Sequence, residues 1–88
     1  MRTPVYTRQF EKDVKLCKKR GKDFEKFKRV MSLLLTGARL PVRCHDHALT
    51  GNLSGFRDCH LEPDWLLIYS QSETEVCFQR MGSHADLF

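Results

Sequence analysis

Along the 88-residue chain the spacing of hydrophobic positions changes period part-way. Between residues 9 and 20, Phe10, Val14 and Cys17 fall at i, i+4 and i+7, while Lys12, Lys15, Lys18 and Lys19 lie off that stripe. This is the signature of an amphipathic helix. Gly21 follows, suited to the left-handed residue that ends a helix. From 23 to 35 the pattern repeats: Phe24, Phe27, Met31 and Leu34 recur at steps of three and four, Val30 and Leu35 widen the stripe, and Lys26, Lys28 and Arg29 face outward. Thr36-Gly37 closes this second helix. Two such helices joined at Lys19-Arg20-Gly21-Lys22 make an antiparallel hairpin whose apolar side needs a cover.

Beyond residue 54 the period drops to two. Strands are predicted over 55–61, 65–71 and 75–81, the first two joined at Glu62-Pro63-Asp64-Trp65, where Pro63 suits the second position of a turn and Asp64 the third. Ser72-Glu73 marks the next turn. Residues 3–8 read as a short first strand, with Pro4 placed as an edge strand tolerates. The segment 38–54 is irregular: Pro41 blocks a helix, Gly51, Asn52 and Gly55 mark turns, and 46–51 is a short strand or an ordered loop. The expected architecture is one α+β domain over 1–88, β-α-α-β-β-β, with a two-helix hairpin packed on an antiparallel sheet.

Length and composition narrow this further. A chain of this size holds one modest core. No apolar run approaches the ~18 residues that span a bilayer, and the N-terminus lacks the apolar stretch of a signal peptide, so no membrane association and a cytoplasmic location are expected. The four cysteines (17, 44, 59 and 77) are scattered inside core-like segments and read as buried free thiols. Charge is uneven. Residues 1–43 hold 13 of the 15 Lys and Arg but 4 of the 11 Asp and Glu, whereas 44–88 hold all four histidines. A basic face attracts polyanions such as nucleic acid, although a charge run alone is equally the solvated side of a helix.

Candidate chemistry lies in the second half. Period-two geometry puts Phe56, Asp58 and His60 on one face of their strand and Arg57, Cys59 and Leu61 on the other, and groups Val76, Phe78 and Arg80 on the last strand. A histidine and an arginine on neighbouring strands suit phosphoryl chemistry, because imidazole exchanges protons near neutrality and guanidinium pairs with phosphate through a planar fork. Each also has a plain reading: a strand histidine as a hydrogen-bonded boundary residue, and Arg80 as a surface partner of Asp58 or Asp86. His45-Asp46-His47 is an H-x-H to which Cys44, Cys59 and His60 would be possible additions. No ligand pair has the spacing of a structural zinc module, and no metal or other cofactor is expected. Cys59 and His60, being adjacent, point to opposite faces and do not make a nucleophile–base pair.

Three groups of residues together carry a resemblance. They are Asp46-His47-x-Leu49-x-Gly51, then Gly55-x-Arg57-Asp58-x-His60-x-x-Pro63-Asp64-Trp65-x-Leu67-Ile68-Tyr69, then Arg80-x-Gly82-x-His84-x-x-Leu87-Phe88. With the basic helical hairpin and its Lys12-Asp13-Val14-Lys15 segment, this resembles the YafQ branch of the RelE/ParE-type toxins over essentially the whole chain. His45 stands where a lysine is usual, Ala48 where proline is common and Phe56 where tyrosine is frequent.

The resemblance implies a RelE-like fold and a ribosome-dependent mRNA endoribonuclease, the toxin of a type II toxin–antitoxin pair that docks in the ribosomal decoding site. The functional positions it implies are His47, His60, Asp64, Arg80 and His84 for catalysis, with Trp65 and Phe88 stacking on bases or shaping the pocket; a core role for Trp65 is the alternative. RNA supplies its own nucleophile, the 2′-hydroxyl, so such a reaction requires neither a metal nor a covalent intermediate. Expected partners are messenger RNA, ribosomal RNA against the basic helices, and a cognate antitoxin with an acidic tail. A related scaffold can instead act by contact alone, as ParE-like inhibitors of gyrase do, since fold does not settle function.

Overall fold

A computed structural model describes residues 1–88. The chain runs β1 (Thr3–Tyr6), α1 (Arg8–Lys19), α2 (Phe24–Thr36), β2 (His47–Ala48), β3 (Arg57–Glu62), β4 (Trp65–Gln71), β5 (Glu75–Gly82) and α3 (His84–Leu87), with single 3-10 turns at Val42–Cys44 and Gly51–Leu53. Thr7 caps α1, its hydroxyl accepting the Phe10 N–H at 2.9 Å, and Asp23 caps α2 by accepting from Glu25 N. Gly37, at φ 76°, ends α2 in the left-handed conformation that glycine adopts without steric cost.

The five strands form one sheet in the order β1-β5-β4-β3-β2. The expectation of an antiparallel sheet needs correcting: β1 pairs with β5 in parallel, Tyr6 opposite Phe78, so the sheet is mixed. Tight turns oblige β3, β4 and β5 to alternate direction. β1 reaches its neighbour through the whole rest of the chain and carries no such constraint. The two apolar stripes of the helical hairpin pack on one face of the sheet. Phe10, Cys17, Phe27, Val30 and Leu34 meet Cys59, Trp65, Leu67, Tyr69, Phe78 and Met81 in one cluster. Burial of this face supplies most of the driving force for folding.

A second correction concerns β5. Period two would group Arg80 with Phe78, which is buried under the helices. The register shifts between Ile68 and Tyr69: Tyr69 lies opposite Phe78 but Ile68 opposite Arg80, leaving Gln79 as the extra residue of a bulge. The Thr7 hydroxyl donates to the Gln79 carbonyl at 2.9 Å and ties the start of α1 to this irregularity. The bulge turns Arg80 onto the face opposite the helices. There the register sets His47, Asp58, Ile68 and Arg80 side by side across four strands, with His60 and Leu66 in the next row. Leu66 and Ile68 are buried and form the floor of this second face.

Candidate active site

The last turn of chain is the first part of the site. Ser83 and Asp86 form a capping box, the Ser83 hydroxyl accepting from Asp86 N and the Asp86 carboxylate from Ser83 N. Arg20, at the end of α1, donates to both Asp86 oxygens at 2.6 and 3.2 Å, and this guanidinium holds the Asp86 carboxyl well below the usual carboxylate range. Gly82 leaves room for the contact: a Cβ there would lie 2.9 Å from the Asp86 side chain. The capped turn delivers His84 to the β3–β4 turn. Asp64 Oδ1 accepts from His84 N at 2.8 Å and from His84 Nδ1 at 2.6 Å, hydrogen bonds that hold the Asp64 carboxyl below its ordinary value. An ionised carboxylate only accepts, so Nδ1 carries a proton and Nε2 is the free atom of the neutral ring. The His60 ring stands 5.8 Å from that of His84 and 5.5 Å from that of His45.

His47 is fixed from the other side of the sheet. Asp46, its neighbour, accepts from Tyr69 Oη at 2.6 Å and from the Arg57 fork at 3.1 and 3.2 Å. Tyr69 belongs to the helix-covered core. With Asp46 held there, alternation along β2 sends His47 to the open face, directly opposite Asp58. His45, just before, adopts φ 47°, and its carbonyl accepts from His47 Nδ1 at 2.6 Å. A carbonyl cannot donate, so His47 is held in the same tautomer as His84. The result is an open groove of about 660 Å³ lined by Arg43, His45, His47, His60, Leu61, Glu62 and Pro63.

Of the seven positions singled out in the sequence, His60, Asp64 and His84 meet at one end, and His47 stands on the same face through the β2–β3 pairing. Arg80 pairs with neither Asp58 nor Asp86. Its Nε and Nη2 donate to Asp13 of α1 at 2.8 and 3.3 Å, leaving Nη1 outside that pair, and the hydrogen bond raises the guanidinium's already high value. Phe88 is exposed at the end of α3. Trp65 corrects the expectation of a base-stacking residue: it is fully buried, edge-on to Phe24 at 5.4 Å, so its ring is closed to a ligand. Its part is to seat the turn that carries Asp64.

A family model described as the bacterial toxin of type II toxin–antitoxin systems, YafQ, matches residues 2–88. The chain belongs to the YafQ toxin family. The mRNA interferase toxin YafQ of Escherichia coli K12 is 48% identical over 84 residues, which cover 94% of this chain and 91% of that protein. The crystal structure of YafQ from E. coli BL21(DE3) superposes with a TM-score of 0.94 at 45% identity, covering 100% of this chain and 99% of that one. YafQ in the E. coli DinJ–YafQ toxin–antitoxin complex gives 0.91 at 46% identity, covering 99% and 97%.

Two supports of this candidate site were not assigned from sequence. Asp13 holds Arg80 and also accepts from Met81 N at 3.0 Å, closing the edge of β5 beyond the end of β1. Its signal was present: an acidic residue three after Phe10 and four before Cys17 lies on the buried side of a basic helix. Asp46 is the other, and only the fold brings Tyr69 to it. Lys22 and Lys26 pair with Glu62 at 3.0 and 2.7 Å, which lowers that carboxyl and ties the turn of the site to α2.

Proposed function

We propose that this chain is the toxin of a type II toxin–antitoxin pair and an endoribonuclease that cleaves messenger RNA at the ribosome by attack of the 2′-hydroxyl on the neighbouring phosphate. One imidazole, His47 or His60, takes the 2′ proton. The oxygen forms its bond to phosphorus as the bond to the 5′ oxygen breaks, and His84, in its charged form, returns a proton to that leaving oxygen. The products are a 2′,3′-cyclic phosphate and a free 5′-hydroxyl, with protons and charge balanced. Asp64 orients His84 through Nδ1 and stabilises its cation, as the carboxylate of a catalytic triad does. Arg80, its fork anchored on Asp13, offers its free edge to the phosphate as negative charge develops. Phe88 stacks on a base of the substrate.

The observation that carries this reading is the pair of imidazoles held in one tautomer by the Asp64 carboxylate and the His45 carbonyl. A protein acting by contact alone has no need of ordered Nε2 atoms. The basic outer faces of α1 and α2 suit ribosomal RNA backbone. The cognate antitoxin would supply acidic residues that cover them. No helix is long and apolar enough to cross a membrane, and a partner that is the translating ribosome implies the cytoplasm. Primer extension on translated message tests this. Wild type is expected to produce breaks only when ribosomes are present, and His84→Ala none. Undiminished cleavage by His84→Ala would refute the assignment, and growth arrest without breaks would favour a gyrase-type contact inhibitor.

A further inference from the structure

Asp58 is a charged residue that the proposed reaction leaves unused. It is 5% exposed, its Oδ1 has no hydrogen-bond partner, and its Oδ2 lies 3.9 Å from His47 Nε2. Unpaired buried carboxylates are costly and rare, and a structural role here would be met more cheaply by an apolar side chain. Nor is the placement accidental. β2 is two residues long, and one of its two register pairs sets His47 opposite Asp58. The anchor through Asp46 and the hydrogen bond to the His45 carbonyl both aim Nε2, rather than Nδ1, toward that carboxylate.

We propose that Asp58 is a positioning residue for His47, a buried counter-charge that stabilises the imidazolium formed when His47 Nε2 takes the 2′-hydroxyl proton. The inference rests on the reaction proposed above with His47, of the two imidazoles named there, as the proton acceptor. Neutral His47 already spends its Nδ1 proton on the His45 carbonyl. When Nε2 gains the 2′ proton, the ring becomes a cation with two N–H groups, and the Asp58 carboxylate lies 3.9 Å from Nε2 as its counter-charge. The His47–Asp58 pair then passes from one net negative charge to none. With the carboxylate buried, this change is worth more than between two exposed charges.

The charged groups facing Asp58 are His47 on β2, His60 on its own strand and His84 on α3, which favour its ionised form, and Asp46, which opposes it; burial pushes its carboxyl up. Arg80 shares the cross-strand row but is committed to Asp13. His47 is the one with an atom aimed at the carboxylate.

Asp58→Asn removes the charge and keeps the shape. In that variant the acidic limb of the pH–rate profile for cleavage of ribosome-bound message should move to lower pH, because the counter-charge of the imidazolium is gone. The plateau rate should drop roughly 10- to 100-fold, less than full loss of a general base costs. Asp58→Ser provides the same readouts should the asparagine variant fold poorly. A profile scaled down without displacement overturns the inference, because a merely structural role would act that way. A His47→Ala protein that cleaves at the wild-type rate would overturn the proton-acceptor role itself, and the inference with it.

Discussion

The candidate site contains two carboxylate–imidazole pairs built on opposite principles. Asp64 and His84 are both well exposed, at 68% and 56% of their side-chain surface, and joined by a 2.6 Å hydrogen bond. Asp58 is 6% exposed and lies 3.9 Å from a half-exposed His47. In water an isolated charge pair contributes little, so the first pair matters through geometry: it fixes a tautomer and a direction. The second pair makes no hydrogen bond in the resting state, and its tautomer is set by a backbone carbonyl instead. What it adds is charge held back in a sheet. The same two side-chain types therefore serve orientation at one end and electrostatics at the other, and solvation decides which.

Removing an imidazole tests the orientation end most severely. His84→Ala is expected to lower ribosome-dependent cleavage by about 10²–10⁴-fold, the usual worth of general acid–base catalysis, with an unchanged circular dichroism spectrum. Asp64→Asn should cost less, since the ring survives and only its tautomer and cation lose support. A loss of about tenfold or more in the plateau rate is expected, with the alkaline limb of the pH–rate profile moved to lower pH as the cation of the acid becomes less stable. If Asp64→Asn cleaves like wild type at every pH, the hydrogen bond at that end has no part in the chemistry.

How much of this was readable in the chain differs between the ends. The stripe of Phe10, Val14 and Cys17, the turn at Pro63-Asp64 and the run from Arg80 to Phe88 are local patterns, and the helical hairpin, β3–β4 and the position of His84 follow them closely. The fold departed from local pattern where a distant strand intervened. The bulge at Gln79 is invisible to a period-two count, yet it moves Arg80 from the core face to the opposite one. Nothing local tells β1 to run parallel to β5. Asp58 was visible as a polar position beside His60, but its burial depends on β2 and β4 closing over it from both sides. Trp65 reads equally as a stacking or a core residue until Phe24 is brought against it.

The His47 end depends on a clamp that lies on the other face of the sheet. Burial pushes the Tyr69 hydroxyl well above the ordinary tyrosine range, and it stays protonated to donate to Asp46. Asp46→Ala leaves that buried hydroxyl without its acceptor and frees the loop that carries His47. A loss of about 1–3 kcal/mol in stability is expected, which at ~4–8 °C per kcal/mol is a clear fall in melting temperature. Tyr69→Phe removes both the hydroxyl and its need for a partner and should be milder. Should Asp46→Ala lower cleavage while Tyr69→Phe does not, the Arg57 fork is the part of the clamp that positions His47.

The smallest expected effects are the most discriminating, because the two carboxylates should differ in sign. Folding lowers the Asp64 carboxyl, so its contribution to stability is present above the ordinary carboxylate range and is lost as pH falls through its folded value. Asp64→Asn should therefore melt slightly below wild type at pH 7, and the gap should close in acid. Folding raises the Asp58 carboxyl, chiefly by burial. Its protonated form carries no penalty, and the cost of the charge appears as pH rises from the ordinary value through the folded one. Asp58→Asn never carries that charge, so it should melt at or above wild type at pH 7 while cleaving more slowly. Near pH 4 the advantage should shrink. Thermal melts of both variants across this range would show the crossing, and a destabilised Asp58→Asn at neutral pH would mean that the buried carboxylate holds the sheet together rather than serving His47.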